Sequence, residues 1–124
     1  MKNLILPLAF TTALLLQSFS AHSAFEKGED ILWACNMEDV DSKGFEEMLS
    51  AAGCMWYVAG ILDGAQLVFG LKPEAKLFCA PESGISVDQQ IRIVRKHLEG
   101  NPEELHESAR MSVFLAFQLA FPCK

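Results

Sequence analysis

The run Cys54–Leu71, CMWYVAGILDGAQLVFGL, restricts the fold more than any other part of the chain. It is apolar almost throughout, yet Gly60, Gly64 and Gly70 interrupt it, Gly53 precedes it and Asp63 sits within it. The interruptions argue against a membrane span, and the apolar content argues against a surface helix. Both are satisfied by the central helix of a small helical domain, packed on more than one side. Phe45, Met48, Ala52, Met55, Ala59, Leu62, Gln66 and Phe69 recur at steps of three and four, which extends that helix back to Gly44. Gly53, Tyr57, Gly60 and Gly64 form a second line, small apart from the ring. A helical glycine costs about 1 kcal/mol. Such a line is expected where a second helix crosses closely; a break in the helix is the competing reading.

The chain opens MKNLILPLAFTTALLLQSFSAHSA. Lys2 followed by an apolar run and then Ala21-His22-Ser23-Ala24 reads as a secretory signal peptide over residues 1–23. The run is short of the ~20 residues a retained anchor needs. No cysteine stands just past the cut, which argues against a lipoprotein. Residues 24–124 are then one domain, small enough for its stability to need help. Cys35, Cys54, Cys79 and Cys123 supply it: an even number in an exported chain reads as two disulfides. The leader has a bacterial look, which places the protein in the periplasm.

Around the central helix the sequence predicts a short helix over 26–35 and a polar loop over 36–43. A proline-broken connection follows over 72–85. A capped helix from Ser86 to Glu99 comes next, with Gln89 completing a capping box and Gly100 stopping the helix. Pro102 opens the last helix, expected to run to Ala120 with Glu104 closing its cap. That makes a small all-α bundle of four to five helices. The last helix carries two apolar faces, one of Leu105, Ala109, Ser112, Ala116 and Leu119, the other of Phe114, Phe117 and Phe121. A second copy of the chain, or the first helix, is expected to cover the phenylalanines; the former would be a homodimer. An antiparallel pair of final helices brings Cys79 to Cys123, and a return through the polar loop brings Cys35 to Cys54. This pairing is favoured over Cys54–Cys79 with Cys35–Cys123.

The chain carries a net charge of −6, and nine acids against two lysines lie between Glu26 and Asp63. Such a balance argues against nucleic acid and anionic lipid and favours a basic protein partner, a solvated acidic face being the bland alternative. His97 and His106 have no metal spacing, and four cysteines in an oxidising space are structural rather than nucleophilic. No enzyme, metal or cofactor is expected. Asp63, alone in its apolar run, is expected to be tied by Arg110 or a hydroxyl.

Taken in order, Cys54-x-x-Tyr57-x-x-Gly60-x-x-Asp63, Phe78-Cys79-x-Pro81, Gln89, Val94, Leu98-x-x-Asn101-Pro102, Ala109 and Phe121-Pro122-Cys123 form a pattern. It resembles the Rap/Tai family of periplasmic immunity proteins of type VI secretion. His97 departs from it, since tyrosine is frequent before that leucine. The resemblance implies a small helical, disulfide-bonded and often dimeric protein. It also implies a partner: an effector, typically a peptidoglycan amidase, whose cleft the protein blocks. Tyr57, Gly60 and Asp63 are then architectural. A basic effector would be steered by Glu38, Asp39, Asp41, Glu46 and Glu47, with Glu103, Glu104 and Glu107 as a second acidic group. The alternative from a different class is a small periplasmic acid-stress chaperone, which the acidic charge and phenylalanine face permit.

Overall fold

The computed structural model describes residues 25–36 and 44–124. It holds four helices: α1 (Gly28–Cys35), α2 (Phe45–Leu71), α3 (Val87–Gly100) and α4 (Ala109–Ala120). Single 3-10 turns stand at Pro73–Ala75 and Pro102–Glu104. No strand occurs among the described residues; one isolated antiparallel bridge joins Lys27 to Ser108. The signal peptide expected over 1–23 and the loop acids Glu38, Asp39 and Asp41 lie outside the described residues.

α2 runs unbroken through Gly53, Gly60, Gly64 and Gly70, so the glycines do not divide it. Its buried side is Cys54, Val58, Leu62 and Ala65, spaced by three and four. Among the described residues the expected close crossing along its glycine line does not occur. A Cβ built on Gly60 or Gly64 would meet nothing within 4 Å, and only Gly53 is approached, by the Phe25 ring at 3.3 Å. Nor do the described residues pack α2 on more than one side. Phe45, Leu49, Trp56, Leu67 and Leu71 stand exposed along its outer face. By length and composition α2 could cross a bilayer, yet its inner face is built into the shared core.

α3 is the helix the sequence foretells best. The Ser86 hydroxyl accepts the Gln89 amide at 3.2 Å, satisfying one orphan donor of the first turn. Val94 and Leu98 face inward. Asn101 takes the C-cap, and Gly100, expected just beyond the helix, is its last residue.

α4 begins seven residues later than expected, at Ala109 rather than Pro102. Pro102 opens only a 3-10 turn, and Glu104 closes no cap on α4. The cause lies in the first segment of the chain. The Gly28 amide donates to the Glu107 carbonyl at 2.8 Å and Glu29 to Leu105 at 3.0 Å, while Ala109 donates to Glu26 at 3.0 Å. Two carbonyls that a continuous helix would consume are thus spent on the open N-terminal amides of α1. Gly28 is buried there because a side chain would not fit. Its Cβ would lie 3.0 Å from Leu98 Cδ2, 3.2 Å from Ser112 Oγ and 3.3 Å from the Leu105 carbonyl.

The core gathers Ile31, Ala34, Val58, Leu62, Phe78, Val94, Leu98, Val113 and Phe117 from all four helices and from the α2–α3 connection. Phe78 is the member the sequence left in a connection. It sits edge-on to Phe69 at 5.2 Å and tilted on Phe117 at 5.7 Å, and Phe117 stacks on Phe121 at 6.2 Å. On the phenylalanine face of α4, Phe117 is thus packed from within the chain, against Phe78 and Phe121.

Candidate functional site

Both disulfides take the favoured pairing. Cys35–Cys54 closes a separation of 19 residues with Cα atoms 5.3 Å apart, and Cys79–Cys123 one of 44 with Cα atoms 4.9 Å apart. The first ties the end of α1 to α2; the second ties the α2–α3 connection to the chain end. The Cys79 amide also donates to the Phe121 carbonyl at 2.8 Å, so that end is held by backbone as well as sulfur. By chain entropy the two closures contribute roughly 3 and 4 kcal/mol. The result is a frame with little freedom to change shape on binding.

On this frame the backbone ladder between residues 26–29 and 105–109 juxtaposes two acidic segments distant in sequence. Glu103, Glu104 and Glu107 come from the α3–α4 connection, and Glu26, Glu29 and Asp30 from the start of α1. The sequence singled out the first three and counted the others only within the acidic first half of the chain. Nothing local signals their meeting, which depends on a contact across some eighty residues of chain.

These carboxylates are not equivalent. Asp30 is occupied structurally, accepting the Glu26 and Lys27 amides at 3.2 and 2.9 Å as the reciprocal half of an N-terminal cap. Glu104 is half-buried, 3.4 Å from Nε2 of the nearly buried His97, a contact too poorly aligned for a hydrogen bond. His97 is set by its C-cap neighbour: Nδ2 of Asn101 donates to the His97 carbonyl at 2.6 Å and lies 3.3 Å from Nδ1. Glu29 pairs with Lys27 at 3.5 Å and Glu107 with His106 at 3.2 Å, both in solvent, where such pairs contribute little to stability. Glu103 and Glu107 are exposed, and with Glu26 and Glu29 they make one end of the bundle negative. A field of this kind speeds encounter with a basic partner within a Debye length of about 8–10 Å.

The other predicted positions are dispersed. Glu46 and Glu47 stand in the first turn of α2, where the dipole favours them, and Glu47 folds back beside Gly44. Tyr57 is half-buried, with its ring edge-on to Phe25 at 5.2 Å and its hydroxyl 3.5 Å from the Phe25 carbonyl oxygen. Asp63 corrects an expectation: it is exposed on the outer face of α2 and needs neither Arg110 nor a hydroxyl to be satisfied. Gly60 lies on the same open face. Among the described residues no group of three or more His, Cys, Asp or Glu side chains is placed to hold a metal ion.

The family model of Rap1a immunity proteins matches residues 27–123, from the bridge residue at the start of α1 to the last cysteine. No curated protein matches the chain. The chain belongs to the Rap1a immunity protein family, and membership implies that it binds a cognate effector.

Proposed function

We propose that this protein is a periplasmic immunity protein that binds and blocks a type VI secretion effector, a basic peptidoglycan amidase, and so prevents self-intoxication. The observation that carries the reading is the family match over 27–123, which spans every helix and both disulfides. The two cross-links support an oxidising compartment. Inhibition on this reading needs no chemistry. A stiff helical body seats in the effector's cleft, excludes substrate and leaves slowly. The acidic end formed by Glu26, Glu29, Glu103 and Glu107 is the surface charge complementarity favours, with Glu46 and Glu47 a separate acidic group. The loop acids Glu38, Asp39 and Asp41 remain part of the proposed contact set.

The test is co-expression of the chain with each effector encoded beside it, both sent to the periplasm, with growth and pull-down as readouts. Rescue by one effector's partner chain is the expected result. Lysis in every combination, with no complex recovered, overturns the proposal. Glu103→Lys with Glu107→Lys should slow association and flatten its salt dependence while leaving dissociation nearly unchanged.

A further inference from the structure

We propose that the apolar cleft between α2 and α4 is an anchor pocket for the effector, taking one bulky apolar side chain flanked by basic surface. The inference rests on the immunity reading and deepens it: it adds the contact that holds the complex to the charges that assemble it. The cleft holds about 440 Å³, inside the ~300–1,000 Å³ of ordinary ligand pockets. Gly60, Ile61, Gly64 and Val68 of α2 line it with Leu77 of the α2–α3 connection and Phe114 of α4, and its other lining residues are apolar too. Its floor is open: among the described residues nothing stands within 4 Å of a Cβ built on Gly60 or Gly64. Around it Val68 is 48% exposed, Leu77 53% and Met111 50%. Side chains of this kind offer neither hydrogen bond nor charge, so what they recognise is an alkyl or aromatic group.

Position and charge together identify the occupant. Tyr57 lies two turns before Gly64 on α2, about 10 Å at 1.5 Å per residue. Its ring packs edge-on against Phe25, and Glu26 follows Phe25 in the chain. On the other wall Met111 lies one turn before Phe114, on the same side of α4, and Glu107 stands just ahead of that helix. Both walls of the cleft therefore run up to the acidic end, and a standard interface of about 800 Å² per partner is wide enough for the two together. Glu26, Glu29, Glu103 and Glu107 select a basic partner, but exposed charges act mainly on the rate of encounter. Slow release comes from apolar anchors packed in pockets that exclude water. Acids at the rim with an apolar pocket beside them are the two halves of one interface. The same acids repel an anionic membrane, which an apolar cleft would otherwise suit. The effector surface that fits is a leucine, methionine or aromatic side chain set two to three helical turns, about 10–15 Å, from a cluster of lysines or arginines.

The experiment measures association and dissociation rates of oxidised residues 24–124 on each effector encoded beside the chain, purified in catalytically inactive form and immobilised. Gly64→Leu and Gly60→Leu fill the cleft from its floor; Gly70→Leu is the control, with open space around it but outside the lining. Circular dichroism and thermal unfolding check that each variant is folded. Each cleft leucine is expected to speed dissociation by about 30-fold or more while association stays within about 3-fold of wild type. Gly70→Leu is expected to change neither rate, and Glu103→Lys with Glu107→Lys to give the opposite split, slowing association alone. A complex whose dissociation ignores both cleft leucines, or responds equally to Gly70→Leu, overturns the proposal and leaves the immunity reading standing. A wild type that binds none of the effectors overturns both. Sedimentation velocity of each chain alone is the last arm. A mass that falls in Gly64→Leu and Gly60→Leu but not in Gly70→Leu overturns the proposal, by making the cleft a contact between copies.

Discussion

Gly28→Ala is the substitution whose effect the fold determines most directly. On helix propensity alone it should help, since alanine is favoured over glycine by up to about 1 kcal/mol, and by less in a first turn. The site reverses the sign. The added methyl would lie 3.0 Å from Leu98 Cδ2, a fully buried side chain that cannot swing away, and 3.2 and 3.3 Å from Ser112 Oγ and the Leu105 carbonyl. Overpacking of this kind costs about 1–3 kcal/mol. It would also lengthen the Gly28–Glu107 and Glu29–Leu105 hydrogen bonds, now 2.8 and 3.0 Å, that seat α1 on the α3–α4 connection. The net loss is about 1–2 kcal/mol, a fall in Tm of roughly 5–15 °C for a domain of this size. Gly64→Ala is the control: it lies inside α2 with open space beyond it and should stabilise by about 0.5–1 kcal/mol. Thermal and urea unfolding of the oxidised proteins at one fixed concentration reads both. Equal stabilisation by the two alanines would refute the close approach at Gly28 and with it the reason α4 starts late.

Phe78→Ala removes the ring between Phe69 and Phe117 and should cost about 3–5 kcal/mol by urea unfolding, although the residue lies outside any helix. Serine pairs at Cys79 and Cys123 should lower stability by about 4 kcal/mol, and pairs at Cys35 and Cys54 by about 3, in the order of the loops they close. Ser86→Ala leaves the Gln89 amide without its cap and should cost about 1 kcal/mol, with the loss of helicity confined to the start of α3 in amide exchange.

The parts of the fold legible in the sequence are those decided within a few residues. Ser86 and Gln89 mark the start of α3, the period from Phe45 to Phe69 marks α2, and the antiparallel pair of final helices brings Cys79 to Cys123. Errors arose where a distant segment decided the outcome. Pro102 and Glu104 are a sound helix start taken alone, and only the α1 amides claiming the carbonyls of residues 105 and 107 postpone α4. The glycines of α2 suggested a crossing helix because their cost is usually offset within the chain; among the described residues nothing stands within 4 Å of a Cβ built on Gly60 or Gly64. Asp63 suggested a buried pair because its sequence neighbours are apolar, but it points to the outer face with Trp56, Gly60 and Leu67 while Leu62 and Ala65 beside it carry the buried side. For the candidate site, composition revealed the acidic character of Glu103, Glu104 and Glu107. The addition of Glu26 and Glu29 was hidden because their nearness is tertiary.

The seam between residues 26–29 and 105–109 also sets the order in which the molecule can be completed. Synthesis delivers the chain from its amino end, so α1 emerges long before the carbonyls that receive it. Cys35 and Cys54 can meet and oxidise while the remainder is still arriving; Cys79 must wait for Cys123, next to last in the chain. Until residues 105–109 arrive, α1 rests on α2 alone and its first amides lack their acceptors.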